Sequence, residues 1–573
     1  MTATAEPVAT SGQRSARKQA RTPARHAAPG RTRRGALADA ALVTAVAVGH
    51  LWLQWRTRPA PHWGDATEVY QFARDWPDVG EPIHHAMRLG SLVPARLAQE
   101  ALGQGQASFY AWPVACGVLL VVATYALGRL LGGRPAAVLA AGAVAACPVL
   151  VDTDDYLTSW LLLPDVPSAA FLTLAFALLV AGARRARGQA GWRPGPGAAL
   201  LAASGLALGW AYLCKEYAVF AFPAFLAAGV LQRLPWRRWA YVATPAAACL
   251  ALELANGAYV YGSPLARLTE ASAHGQELPE ASTRSDAWLG LWHALTGWTG
   301  PGATVPAAAY GALVVAAAGL AVAGLLVGPL LGRGRDLAVP ALWVGCFWLC
   351  LTLMGGVLQP DTPSLRLYFA RYWIPLLPAA AVGAAAALTL GAGALLRWVP
   401  RPAVRAGIVG ALAVAALVAY AAPTVTAARD TRPEEPTWDR LRGFLVDVRS
   451  RGVIIDQRLA RTLDYYRYEP VGGDVVWDGR IDPLPEPWDQ TETPRPRTAH
   501  EWVVAADHPA DDVLVVDDRY GPTGLRPRPG PDGVEQPYAT LPRDTDGWVE
   551  AWSEGTLRVY VAEGSAAAAR AAR

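Results

Sequence analysis

Apolar residues fall in long, nearly unbroken runs over the first three-quarters of the chain, and polar residues are confined to the gaps between them. The runs lie at about Ala36–Trp55, Phe109–Leu131, Pro135–Val151, Leu161–Gly182, Ala198–Cys214, Tyr217–Leu231, Trp239–Tyr261, Ala303–Leu331, Val339–Leu358, Tyr372–Leu396 and Ala406–Ala422. About 20 apolar residues wound as a helix cross the hydrocarbon of a bilayer. The pattern therefore predicts a polytopic α-helical membrane domain over 36–422 with about 11 transmembrane helices.

The gaps alternate in charge. Arg129 and Arg134, Arg184, Arg185, Arg187 and Arg193, Arg233, Arg237 and Arg238, Arg333 and Arg335, and Arg397, Arg401 and Arg405 fall on the side of the segment 1–35. That segment is polar and basic, with Glu6 its one acid before the first run, and reads as a disordered tail. The excess of arginine assigns this side to the cytoplasm. The opposite connections are long and acidic: 56–108, which contains Asp65 and Glu68, and 152–165, which contains Asp152, Asp154, Asp155 and Asp165. Two helices lying along the membrane are expected there, one within Ile83–Leu102 and one over Asp286–Leu295, where Trp288, Trp292 and Leu295 share a face.

An odd number of spans carries residues 423–564 to the outer side. There, strand-like runs at Gly452–Asp456, Asp474–Trp477, Asp512–Val516 and Thr556–Val561 alternate with helical patterns at Trp438–Val448 and Arg458–Tyr466, which predicts a small extracytoplasmic α/β domain. It has no glycine-rich phosphate loop. Pro483–Pro496 reads as loop and 565–573 as a disordered Ala/Arg tail.

Composition sharpens this picture. A chain 53% hydrophobic and 17% charged is not an ordinary soluble domain. Its net charge of +4 is dispersed over loops, which argues against a nucleic-acid partner. Lys18 and Lys215 are the only lysines, a bias that looks like a GC-rich, actinobacterial type of genome. The six cysteines lie in apolar runs without CxxC spacing and read as small buried residues. His84 and His85 are adjacent, so they do not share a helical face and give a zinc site little support.

Carboxylates at a dry boundary need water or a partner, so Asp65, Glu68, Asp154, Asp155 and Asp165 gathered at one face suggest a polar cavity. If Ala66 onward is helical, Asp65 and Glu68 stand one turn apart on one face. Should a divalent cation be used, these two are its candidate ligands. Asp154 and Asp155 also suit helix N-caps, and Asp165, between Pro164 and Pro167, serves equally as an N-cap or a site residue. Lys215-Glu216 interrupts two apolar runs, either as a tight turn with a snorkelling pair or as a cation that holds a lipid phosphate. Arg366, Arg371 and Tyr372 sit at the outer start of a span. Basic residues on that side run against the topology rule and call for a partner, such as a phosphate or the acidic loops.

These motifs carry a resemblance. Gly64-Asp65-Ala66-Thr67-Glu68, Pro164-Asp165-Val166, Gly205-Leu206-Ala207-Leu208-Gly209 followed by Lys215-Glu216, and Arg371-Tyr372-Trp373-Ile374-Pro375-Leu376-Leu377-Pro378 together resemble the GT-C membrane glycosyltransferases. The branch is that of protein O-mannosyltransferases, aminoarabinose transferases and RgtA-like bacterial enzymes, and the likeness extends over about Ala36 to Leu396. It implies inverting transfer of a hexosyl or pentosyl unit from a polyprenyl-phosphate sugar to a hydroxyl of a glycan, lipid or protein at the outer face of the cytoplasmic membrane. Asp65 would be general base with Glu68 beside it, Lys215, Arg366 and Arg371 would meet the leaving phosphate, and Asp165 would bind sugar or acceptor hydroxyls. Asp154, Asp155 and Tyr372 complete the expected substrate-binding set. The alternative from another class is a multi-pass transporter or flippase of lipid-linked sugars. Transporters place broken helices and charges at mid-membrane in repeated halves, whereas the ionisable residues here gather at one face.

Overall fold

A computed structural model describes residues 33–58, 65–78, 87–151, 162–186, 195–273, 290–296, 307–354, 370–430, 435–484, 513–517, 547–555 and 557–573. The chain divides into Met1–Leu42, of which the described part begins the first helix, and Val43–Arg573, which holds everything discussed below.

In chain order the helices are α1 (Arg33–Arg56), α2 (Asp65–Asp75), α3 (Leu89–Leu102), α4 (Gln106–Leu131), α5 (Arg134–Ala145), the single turn α6 (Pro148–Val151), α7 (Asp165–Ala186), α8 (Pro196–Cys214) and, after a 3-10 stretch at Glu216–Ala221, α9 (Phe222–Leu231). Next come α10 (Trp239–Tyr261), α11 (Ala266–Ala273), α12 (Gly290–Thr296), α13 (Ala307–Leu330), α14 (Gly334–Met354), a 3-10 stretch at Ala370–Leu376 that runs into α15 (Leu377–Leu395), and α16 (Pro402–Asp430).

All eleven apolar runs contain helix, yet among the described residues eight helices are long and apolar enough to cross a membrane: α1, α4, α7, α8, α13, α14, α15 with its preceding turn, and α16. The protein is a multi-pass membrane protein. The other three runs fall short for local reasons. α5 ends before Pro148, which cannot continue its hydrogen bonding. The run at 217–231 is split between 3-10 and α geometry ahead of Pro223. α10 has the length, but Glu253 and Asn256 lower its mean hydropathy. α7 is the central helix, with 78% of its apolar window buried, against 17% for α1 and α16. Leu412 and Val418 of α16 are more than half exposed, as a lipid-facing surface requires.

Lipid tails are as apolar as leucine, so membrane helices associate by close packing of small residues. A Cβ on Gly205 of α8 would run into the backbone carbonyl of Val242 on α10, and one on Gly209 would meet Cys249 Cβ at 2.6 Å. On the predicted interfacial helix, α12, Leu291 and Leu295 are buried while Trp292 is 45% exposed, and Trp288 lies outside the described residues.

The C-terminal segment forms α17 (Glu435–Asp447), β1 (Gly452–Asp456), α18 (Gln457–Tyr466), β2 (Arg480–Leu484), β3 (Val513–Asp517), β4 (Trp548–Glu554), β5 (Leu557–Ala562) and α19 (Ala566–Ala571). The strands make one mixed sheet in the order β2-β1-β3-β5-β4. β1 runs parallel to both β2 and β3, with Ile455 opposite Val515, and the last pairs are antiparallel. Leu557, Val559 and Val561 alternate into the core along β5.

Four features of this segment depart from expectation. Arg480–Leu484 is the strand β2, whose last two residues fall in the stretch read as loop. Asp474–Trp477 is not a strand: Gly472 and Gly473, at φ of 98° and 77°, turn the chain and leave one isolated bridge from Val475 to Tyr468. β4 escaped the sequence pattern because it is a partly exposed edge strand with a bulge between Glu550 and Trp552, which breaks alternation. The stretch 565–573 is not a disordered tail. Ser565 Oγ accepts the Ala568 N–H at 3.0 Å as an N-cap, and Arg570 Nη1 donates to the Val448 carbonyl at 2.7 Å, which holds α19 on the domain.

Because Gly205 has no room for a side chain, Gly205→Ala should separate α8 from α10 at an overpacking cost of about 1–3 kcal/mol. Thermal unfolding of the purified protein in detergent should show a lowered Tm.

Candidate active site

α7 and α8 are antiparallel neighbours, joined where Ser168 Oγ donates to the Ala211 carbonyl at 3.1 Å. The first residue of α7 therefore lies beside the residue after α8, and Asp165 forms an ion pair with Lys215. Each side chain is only 2% exposed. Lys215 sits in extended backbone between α8 and the 3-10 stretch, its ammonium 4.0 Å from the centre of the Tyr372 ring and 4.9 Å from that of Tyr217. Burial draws its pKa down to about 8 against the opposing pull of Asp165. Among the described residues, the second carboxylate oxygen of Asp165 is buried without a hydrogen-bond partner.

Arg371 comes from the 3-10 turn ahead of α15. Its guanidinium donates to Tyr372 Oη at 3.1 Å and stands 5.1 Å from that ring. The turn thereby brings Arg371, Tyr372, Lys215 and Asp165 together from segments far apart in sequence.

Next to Lys215, Glu216 is also buried and ionically paired. Arg88, just before α3, donates to it at 2.9 Å, and Arg267 of α11 at 3.3 Å. Arg267 continues to Glu253 of α10 at 3.0 Å and to the Tyr212 carbonyl at 2.7 Å, while Tyr212 Oη reaches Glu253 at 3.3 Å. Of the described charges in this assembly, Arg88, Lys215, Arg267 and Arg371 are cations and Asp165, Glu216 and Glu253 are carboxylates.

Arg88, Glu253 and Arg267 were not among the residues singled out from the sequence. For Glu253 a signal existed, an acid inside an otherwise apolar run. Arg88 and Arg267 sit in mixed connecting segments, where a charge is ordinary.

Asp65 is the first residue of α2, where a carboxylate complements the helix dipole; its side chain lies outside those described. α2 is built as the one-turn spacing anticipates, with Ala66, Val69, Tyr70 and Ala73 forming the buried face and Glu68 half-buried. It rests on α3, where Gln99 Nε2 donates to the Tyr70 carbonyl at 2.8 Å. Since Arg88 leads directly into α3, the pair with Glu216 ties α2 and α3 to the Lys215 turn. Asp154, Asp155 and Arg366 lie outside the described residues. Among the described residues no three His, Cys, Asp or Glu side chains gather closely enough to hold a metal ion, and the candidate ligand Asp65 has its side chain outside those described.

Removing one partner of a buried pair leaves the other charge uncompensated, at a cost of about 3–5 kcal/mol. Lys215→Met alone should therefore lower the Tm sharply. The double variant Asp165→Leu with Lys215→Met should recover most of that loss, which a double-mutant cycle by thermal unfolding would measure.

Residues 95–256, from within α3 to within α10, match the model of a family described as dolichyl-phosphate-mannose-protein mannosyltransferase. No curated protein matches the chain. Among solved structures, ArnT from Cupriavidus metallidurans in the apo state is similar at 14% identity and a TM-score of 0.47, over 75% of this chain and 84% of that one. ArnT from the same organism bound to undecaprenyl phosphate is similar at 13% identity and a TM-score of 0.44, over 93% and 98%. The apo oligosaccharyltransferase of Archaeoglobus fulgidus is similar at 13% identity and a TM-score of 0.48, over 88% and 75%. The segment that contains Asp165, Lys215 and Glu216 is thus the one that matches the model described as dolichyl-phosphate-mannose-protein mannosyltransferase.

Proposed function

We propose that the chain is a membrane glycosyltransferase that moves a sugar from a polyprenyl-phosphate donor to an acceptor hydroxyl at the outer face of the cytoplasmic membrane, with inversion. The observation that supports this reading most is that two cations from distant segments, Lys215 and Arg371, meet at the Tyr372 ring. It occurs beside the start of a span, where the phosphate of a membrane lipid would lie. The matched family model covers Lys215 and is described by the same donor class.

In this reading the acceptor oxygen attacks the anomeric carbon while the bond from that carbon to the phosphate oxygen breaks. Asp65 takes the acceptor proton, which raises the nucleophilicity of the oxygen as the new bond forms. The departing polyprenyl phosphate gains negative charge, and Lys215, Arg371 and Arg366 stabilise it in surroundings that screen weakly. Asp165 holds Lys215 in place, and its unpaired carboxylate oxygen is available to a sugar or acceptor hydroxyl. The arginine-rich connections face the cytoplasm, and the loop with Asp65 and the C-terminal domain, whose cores are continuous, face outward. Apolar walls between the spans take the prenyl chain.

Incubation of the purified protein with a pool of polyprenyl-phosphate sugars and a membrane extract as acceptor should release free polyprenyl phosphate, detected by mass spectrometry. Loss of a positioned general base costs about 100- to 10,000-fold, so Asp65→Asn should reduce release by that order. Equal release by both proteins would remove Asp65 as the base, and release by neither would remove the reaction class. Because the Lys215 ammonium is present below its pKa of about 8 and lost above it, release should fall as pH is raised through 8. A Lys215→Arg variant that still turns over should hold its rate to higher pH.

A further inference from the structure

The C-terminal domain shares one hydrophobic core with α2. Ala66, Val69, Tyr70 and Ala73 belong to the same buried cluster as Trp438, Leu441, Leu463, Tyr465 and Tyr466. The contact is specific. The Tyr70 ring lies 4.8 Å from the Tyr465 ring and 5.8 Å from Phe109, and Tyr465 in turn lies 5.1 Å from Phe109. The Tyr70 hydroxyl is fixed from below, 2.6 Å from Ser108 Oγ and 3.3 Å from the Gly105 carbonyl. Arg74 pairs with Asp464 at 3.5 Å.

Backbone contacts bracket the same junction. The Gly472 N–H donates to the Leu102 carbonyl at 2.8 Å, and the Ala107 N–H to the Pro470 carbonyl at 3.1 Å. A Cβ on Gly103, whose φ is 82°, would strike the backbone of Gly472 and Gly473. The domain therefore grips α2, the α3–α4 junction and the top of α4 at once. An appended binding module would instead be joined by a polar interface that permits motion.

We infer that the C-terminal domain is a positioning element for α2, and that Tyr465 and Asp464 act through Tyr70 and Arg74 to set where the helix that begins at Asp65 stands. The inference rests on the glycosyl-transfer reading only for the role of Asp65. A displacement of about 1 Å in a catalytic group can cost on the order of a hundredfold in rate, so a helix seated by rings from another domain makes turnover depend on that domain. Among the described residues the Tyr465 hydroxyl finds no hydrogen-bond partner, and its contacts with Tyr70 and Phe109 are made by the ring.

The test uses the full chain in lipid nanodiscs with two readouts. The first is kcat and donor KM for release of polyprenyl phosphate. The second, independent of catalysis, is the labelling rate of Asp65→Cys by a maleimide. Tyr465→Ala should lower kcat about tenfold or more with donor KM unchanged, and should shift the labelling rate when combined with Asp65→Cys. Tyr465→Phe should behave as the wild type in both. Asp464→Arg, at a partly exposed pair that folding tolerates, should reproduce the fall in kcat, and adding Arg74→Glu should restore it. If Tyr465→Ala does not fold, the Asp464→Arg pair decides alone. Folded variants with unchanged kcat and unchanged labelling would overturn the inference, as would a matching change in donor KM. If the wild type releases no polyprenyl phosphate, the reaction class fails, and the labelling rate still decides whether the domain seats α2.

Discussion

The constraint on which the rest of the structure depends is that a charge taken out of water must find a partner. An isolated carboxylate or ammonium in an apolar bundle would neutralise itself or open the bundle. Asp165 and Lys215 satisfy the rule pairwise, and Glu216 satisfies it twice, through Arg88 and Arg267. These bonds reach from the segment before α3 to α7, to the end of α8, and through Arg267 to α10 and α11. One face of the helix bundle is therefore assembled around ionic contacts, whereas its interior is apolar, with rings such as Phe176 and Trp343 packed among alanines. Buried pairs of this kind add little stability over a well-packed apolar core. Their retention fits a site that needs fixed charges more than it needs strength.

That reasoning also explains why Lys215 is poised as it is. Its ammonium is offset by one carboxylate and faced by two aromatic rings, so it keeps its charge at neutral pH without being fully quenched. Arg371 stands at the same ring, 5.1 Å from its centre, and donates to its hydroxyl. A ring shared by two cations holds together positive charges that would otherwise repel each other. In the reading argued above, the growing charge on a phosphate is what makes that arrangement favourable.

Much of this was legible in the sequence, in proportion to how local the signal was. The apolar runs gave every long helix of the membrane domain, though not the short α11 between them, and β1, β3 and β5 were found to within a residue because buried strands rich in Val, Ile and Leu are distinctive. The pairing of Asp165 with Lys215 was not written in either motif. It follows once α7 and α8 are antiparallel neighbours, since that places the start of one beside the end of the other. Arg88 and Arg267 were invisible because a charge in a connecting segment is ordinary until the fold buries it. The edge strand β4 and the helix α19 were missed for the opposite reason: an exposed strand with a bulge does not alternate, and an alanine-rich stretch reads as low complexity unless its Ser565 cap is noticed.

The C-terminal domain follows from the same physics at a different interface. α2 is a short helix of eleven residues, below the length at which an isolated helix is stable in water. Its buried face packs on α3 and α4, and the C-terminal domain closes over it through Tyr465 on Tyr70 and Asp464 on Arg74. A helix that begins with a candidate base at the edge of a membrane has to be held from above as well as from below. The domain that does so need not touch a substrate to affect the reaction. It acts by determining whether Asp65 is presented in one position or in many.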